Sequence, residues 1–262
     1  MTKAPHCNGM KQAVKDLKKE ASVHKLAEKV LEESIERIKF FAYSVSHDLK
    51  SPAMSLYGLT KRLERDYADV LDEKGKRYCD QIIKTAEQIA ALVGQINVFI
   101  ATKEAPLTIE QVKPKEVLQM IKEEYSVQLS IRGIRWAEPG NIPEIKADRL
   151  SIIRAFRNII DNAMKYGGET LSEIIFNYKE SGAFHVFSVK DNGIGLKDHI
   201  SHEDIFGPFI RSKTSKGIQG SGLGLTILRE IAERHGGEVW LKPGRVRGIT
   251  FFLSISKAVA LS

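Results

Sequence analysis

His47-Asp-Leu-Lys-Ser-Pro52 lies inside a long amphipathic run from about Ala21 to Val70. The apolar positions that lead into it, Leu31, Ile35, Ile38, Ala42 and Val45, alternate four and three residues apart, the spacing of a coiled-coil seam. The run continues through Leu56, Leu59 and Leu63. Pro52 removes a backbone donor and is expected to kink the helix one turn past His47. Asp72-Glu-Lys-Gly75 reads as a short turn. A second helix is expected from about Lys76 to Ala101, with Ile82, Ile83, Ala86, Ile89, Ala90, Val93, Ile96 and Ile100 apolar. Two long antiparallel helices leave an apolar stripe that one hairpin cannot cover. Pairing two hairpins into a four-helix bundle buries it, so a homodimer is expected; packing of the stripe on the rest of the chain is the alternative.

Working outward, residues 1–20 are polar and are expected to form a flexible N-terminus. Lys103-Glu-Ala-Pro106 breaks the second helix and reads as a linker between domains at 21–103 and 107–257. The second domain mixes helical patterns (Val117–Leu129, Arg149–Tyr166 and Leu225–His235) with two hairpins. One pairs Glu173–Lys179 with Phe184–Lys190 around Gly182; the other pairs Glu238–Leu241 with Gly248–Ile255 around Gly244. Strands joined by tight turns beside helices predict an α+β sandwich, a mixed sheet covered on one face.

In the helix Arg149–Tyr166, Asp148 is placed to cap the N-terminus, and Ile152, Phe156, Ile159, Ile160 and Ala163 make the apolar face. Asn158, Asn162 and Lys165, at i, i+4 and i+7, share another face. Solvated faces favour Glu, Lys or Gln, because Asn competes with its own backbone. Two asparagines and a lysine one turn apart therefore read as oxygen-ligand and phosphate contacts, and amide oxygens are the hard donors that Mg²⁺ accepts. Asp191-Asn-Gly-Ile-Gly195 follows a strand, where a plain turn is the simpler reading. Gly220-Ser-Gly-Leu-Gly224 opens a helix, where unpaired N–H groups suit phosphate and a flexible loop is the simpler reading. The 24 residues Leu196–Gln219 between them form a stretch long enough for a lid. His199 and His202 lie in it with no further ligands converging, and are expected to face solvent.

Taken together and in this order, the segment around His47, Asn158–Tyr166 and the two glycine loops resemble the H, N, G1 and G2 boxes of sensor histidine kinases, over about Phe40 to Ser254. The resemblance implies a two-domain α plus α/β protein: a helical hairpin forming a dimeric four-helix bundle, then an α+β sandwich of the Bergerat type that binds ATP. It implies that His47 is phosphorylated, with Asp48 holding its other ring nitrogen. Asn162 would be the Mg²⁺ ligand assisted by Asn158, Lys165 would reach the phosphates, and Tyr166 would wall the adenine pocket. Asp191 would accept the adenine amino proton, with Gly193 and Gly195 letting backbone approach the ring. Gly220, Gly222, Leu223 and Gly224 would form the phosphate loop. Phe206 and Phe209 match the family's F box in an ATP lid that also carries Arg211 and Lys213. Ser51, one turn after His47, stands where the family commonly has Thr or Asn to orient the water that dephosphorylates the partner, so it keeps the hydroxyl but departs from the commoner pattern. The partner implied is a response-regulator receiver domain.

The chain's 262 residues and net charge of +7 fit this picture. Lys and Arg are scattered among acids with no DNA-binding signature, so no nucleic acid partner is expected. No apolar run reaches the ~18–20 residues of a membrane span, and the start lacks a signal-peptide core, so no membrane segment and a cytoplasmic location are expected. Two cysteines make no disulfide framework. A Walker loop, a Gly-x-Gly-x-x-Gly fingerprint and the Asp-Phe-Gly set of Ser/Thr/Tyr kinases are all missing. Two other classes stay open: a non-enzymatic phosphotransfer scaffold, which ATP binding would exclude, and an ATPase clamp, which an acid-labile phosphoprotein would exclude.

Overall fold

Asp72 does not sit in a turn; it starts a helix. In the computed structural model its side chain accepts the Gly75 N–H at 2.6 Å, capping a 32-residue helix, α2, over Glu73–Glu104. The reversal expected at 72–75 lies earlier, at 67–72, because an Asp followed by Glu in the first turn satisfies orphan N–H groups better than it turns the chain. The structure describes residues 43–196, 204–210, 220–244 and 246–259, with Lys25 and Lys29 as isolated helical positions. Much of the expected seam, Leu31 to Ala42, lies outside the described residues.

The first helix, α1, covers 43–66 and runs through Pro52 without a break. Ser46, Ala53 and Thr60 are buried along it, seven residues apart. On α2, Cys79, Ala86 and Val93 are buried with the same step. Both buried sets step by seven residues and are mostly small, the spacing of helices that pack side by side. A second heptad-spaced stripe, Leu49, Leu56 and Leu63, is exposed.

α2 ends at Ala105, which is extended as the residue before Pro106 must be. It does not run into a loose linker. The Arg234 guanidinium donates to the carbonyls of Thr102 and Ala105, and Arg154 donates to the Thr102 hydroxyl at 3.3 Å. These bonds tie the last turn of α2 to the following module.

That module runs β1 (Ile109–Val112), α3 (Pro114–Glu124), α4 (Ser126–Ile131), β2 (Arg135–Ala137), β3 (Ile145–Asp148), α5 (Arg149–Tyr166), β4 (Glu173–Ser181), β5 (Phe184–Asp191), a short 3₁₀ turn (Asp204–Phe206), α6 (Gly224–Arg234), β6 (Val239–Pro243) and β7 (Ile249–Ser256). The helix expected over Val117–Leu129 is two helices. Tyr125 breaks it at φ −96°, ψ 2°, and its hydroxyl donates to Asp161.

Five strands form a mixed sheet in the order β2-β4-β5-β7-β6, with only β2–β4 parallel, and β1 and β3 make a separate antiparallel pair. Ile174 and Phe176, Phe187 and Val189, and Phe251 and Leu253 point into one core with α3, α5 and α6. Asn177, Lys179 and Lys190, at alternate positions, face the other way and are exposed. One face is thus covered and one is open, as expected. No helix among the described residues is long and apolar enough to cross a membrane.

Candidate functional site

The cavity opens where α5 ends. Asp148 caps α5 by accepting the Ser151 N–H at 2.7 Å. Ile152, Phe156, Ile159 and Ile160 anchor the helix in the core, all 1% exposed or less. With that face fixed, Asn158, Asp161, Asn162 and Lys165 turn toward a cavity that Tyr166 and Gly167 also line. Asp191, Ile194, Gly195 and Leu196 line it from the end of β5, and Ile249 and Phe251 from β7. Gly220, Ser221, Gly222 and Gly224 close it from the start of α6.

Asp191 is the last residue of β5 and is 6% exposed. Its carboxylate accepts the Gly193 N–H at 2.9 Å. Burial holds the carboxyl above the usual carboxylate range, while the backbone N–H groups of Gly193 and Ile249 pull the other way. Asn192 buckles the loop from the outside: its Oδ1 accepts the N–H groups of Ser172 and Glu173 at 2.9 and 3.0 Å. Gly193 is not among the lining residues. A Cβ there would lie 2.5 Å from the Gly167 Cα, so glycine is required by backbone packing against the end of α5.

The second loop is seated on the same helix. A Cβ at Gly220 would meet the Tyr166 hydroxyl, and one at Gly224 would lie 3.1 Å from Asn158 Oδ1. Gly222 has φ +76°, which only glycine adopts freely, and its carbonyl accepts the Phe209 N–H at 3.2 Å. Leu223 and Phe206 are core residues, 1% and 2% exposed; Ile205 and Ile210, beside Phe206, reach the cavity instead. Arg211 and Lys213, with His199 and His202, lie outside the described residues.

His47 stands apart from these groups, on α1. Its side chain is 88% exposed and its Nδ1 is 3.4 Å from Asp48 Oδ1. Ser51 is also exposed, one turn on.

The structure adds residues that the motifs alone did not single out. Asp161 lies inside the quoted Asn158–Tyr166 stretch; it accepts the Tyr125 hydroxyl at 2.5 Å and stands 3.7 Å from Lys165 Nζ. The Tyr125 hydroxyl is held well above its ordinary range, by burial first and then by this carboxylate. Gln95 enters the cavity from α2, far away in sequence, and accepts the Ser221 hydroxyl. No local pattern could have pointed to it.

The donor set suits a hard cation. Asn158 and Asn162 offer amide oxygens one turn apart, and the Asn162 side-chain nitrogen is buried without a partner, so this amide is not tied into the fold. Among the described residues no cluster of three His, Cys, Asp or Glu side chains competes for a metal.

The family of histidine kinase-, DNA gyrase B-, and HSP90-like ATPases matches residues 147–258, which begin at the cap of α5 and end after β7. The chain is 33% identical over 228 residues to the phytochrome-like protein Cph1 of Synechocystis sp., covering 86% of this chain and 30% of that one. It is similar in fold to full-length ShkA solved with AMPPNP, at a TM-score of 0.64, 24% identity, and 84% and 47% coverage. It is also similar in fold to the histidine kinase ThkA solved in complex with the response regulator protein TrrA, at a TM-score of 0.60, 23% identity, and 87% and 64% coverage. The chain thus spans less than a third of the length of Cph1. Residues 147–258 belong to the histidine kinase-, DNA gyrase B-, and HSP90-like ATPase family, within the catalytic core of a sensor histidine kinase.

Proposed function

We propose that this chain uses ATP to phosphorylate His47 and passes the phosphoryl group to an aspartate of a response-regulator receiver domain. The observation that carries the reading is one cavity lined by Asn158, Asn162, Lys165, Asp191, Gly220, Gly222 and Gly224, in a chain that also presents an exposed His47–Asp48 pair. The fold likeness to ThkA, solved with its regulator, supports the partner.

In this mechanism Asp191 accepts the adenine amino proton. Lys165 meets the phosphates at one side and the start of α6 at the other. Asp161 keeps Lys165 oriented, and Tyr125 keeps Asp161 in place. Asn162, with Asn158, would hold Mg²⁺, which neutralises charge on the phosphates. Asp48 accepts a hydrogen bond from His47 Nδ1–H, so the lone pair is on Nε2. Nε2 attacks the γ-phosphorus in line; the N–P bond forms, the bond to the bridging oxygen breaks, and ADP leaves. The aspartate carboxylate of the receiver then attacks the same phosphorus and frees the imidazole. Ser51, one turn away, would orient the water that removes the phosphoryl group from the receiver. Residues 21–103 serve dimerisation and phosphotransfer as a homodimer, residues 107–257 bind nucleotide, and the reaction takes place in the cytoplasm with neither nucleic acid nor membrane engaged by this segment.

The test is incubation with γ-labelled ATP and Mg²⁺. Label should be acid-labile and base-stable, and His47→Gln should abolish it while leaving ATP affinity unchanged. Asp191→Asn should weaken ATP binding by about 1–3 kcal/mol, the cost of a buried polar group left unpaired. Label that survives in His47→Gln would remove His47 from the reaction.

A further inference from the structure

Gln95 belongs to α2, in the hairpin, yet its side chain lines the nucleotide cavity with Asn158, Asn162, Lys165 and the Gly220–Gly224 loop. Its amide oxygen is held by a neighbouring serine. The Leu223 N–H donates to Ser221 Oγ at 3.1 Å. The same hydroxyl donates its own proton to Gln95 Oε1. Gln95 Nε2, with two N–H groups, carries no hydrogen bond among the described residues. An amide donor is thus presented beside the loop that opens α6, the part of the cavity built for phosphate.

We propose that Gln95 is a phosphate ligand supplied to the nucleotide site by the hairpin. Its Nε2 donates to a phosphoryl oxygen of ATP while Ser221 holds its Oε1, so the site is complete only when α2 lies along α6. The proposal rests on the reading of the cavity as an ATP site and adds a residue from outside the ATPase module to it.

The experiment measures ATP and adenosine binding by calorimetry on the full chain, as wild type, Gln95→Leu and Gln95→Glu. Gln95→Leu should weaken ATP about tenfold, the effect of one hydrogen bond to a charged group. Gln95→Glu still accepts the Ser221 proton but sets a carboxylate against phosphate, so it should weaken ATP further. Adenosine, which has no phosphate, should bind both variants within about twofold of wild type. Unchanged or tighter ATP binding in Gln95→Leu would overturn the proposal, and so would equal losses of ATP and adenosine, which would make Gln95 a packing residue. Wild type that fails to bind ATP would instead overturn the ATP reading itself, together with this inference.

Discussion

A single imidazole joins the two helices that frame the cavity. His235 is fully buried; its Nδ1 donates to the Ile231 carbonyl at 2.7 Å, and its Nε2 accepts the Asp148 N–H at 3.1 Å. It thus links the end of α6 to the cap of α5, and only the neutral ring can do so, because a proton on Nε2 would face another N–H. Burial pushes the His235 pKa below its ordinary value, against the Ile231 carbonyl and the nearby Asp148 carboxylate, which favour the cation; Arg234 adds to the depression. Asp148 is held below the usual carboxylate range: burial works against this, and the N–H groups of Ser151 and Thr108 outweigh it. The depressed histidine contributes stability that is fully present above its unfolded pKa of about 6.5 and is lost as pH falls through its folded value. The contribution of Asp148 goes only at lower pH, below about 3.9. Urea midpoints should therefore be flat from pH 8 to 7 and fall from pH 6.5 toward 5. His185, also depressed by burial, adds in the same direction, so His235→Gln should lower the midpoint at pH 7.5 and remove most, not all, of the slope. A slope equal to that of wild type would exclude His235 as its source.

At the scale of elements, legibility followed the range of the interactions. α5 could be placed to the residue because Asp148 caps it, its apolar face has period 3.6, and glycine follows Tyr166; the cavity face of Asn158, Asn162 and Lys165 came with it. The β4–β5 hairpin was legible because two strand-like runs flank a tight turn that holds Gly182. β1, β2 and β3 were not, because strands of three or four residues carry no periodicity and are held only by distant partners: Ile109 by Asp148, Arg135 by Glu173. The break at Tyr125 was hidden likewise, since its cause is an aspartate 36 residues away. The role of Gln95 depends on how α2 meets α6, which is a tertiary fact. The hairpin itself makes a prediction at this scale. Leu49, Leu56, Leu59 and Leu63 are between 43% and 66% exposed on one face of α1. Residues 21–103 alone should sediment as a helical dimer at micromolar concentration, and Leu56→Glu with Leu63→Glu should shift it to monomer. A folded monomeric wild-type fragment would rule out the bundle.

At the scale of the whole molecule, the rims of the sheet decide whether another chain could add to it strand by strand. The outermost strands are β2, only three residues long, and β6, which ends in Lys242 and Pro243. An outer strand with a free row of N–H and C=O groups is a template for another chain. A very short strand offers too few groups, lysine repels a like neighbour, and proline has no N–H to give. The sheet is therefore blunt on both sides, and growth by strand addition is blocked. The same blunting would keep any pairing through the hairpin helices from competing with strand-to-strand aggregation. Replacing Lys242 and Pro243 together by valine should leave ATP binding intact but produce concentration-dependent light scattering on warming, at temperatures where wild type stays clear. Equal scattering would mean that protection lies elsewhere. The rim of the sheet, which does not line the cavity, helps decide whether copies stay dispersed or become a precipitate.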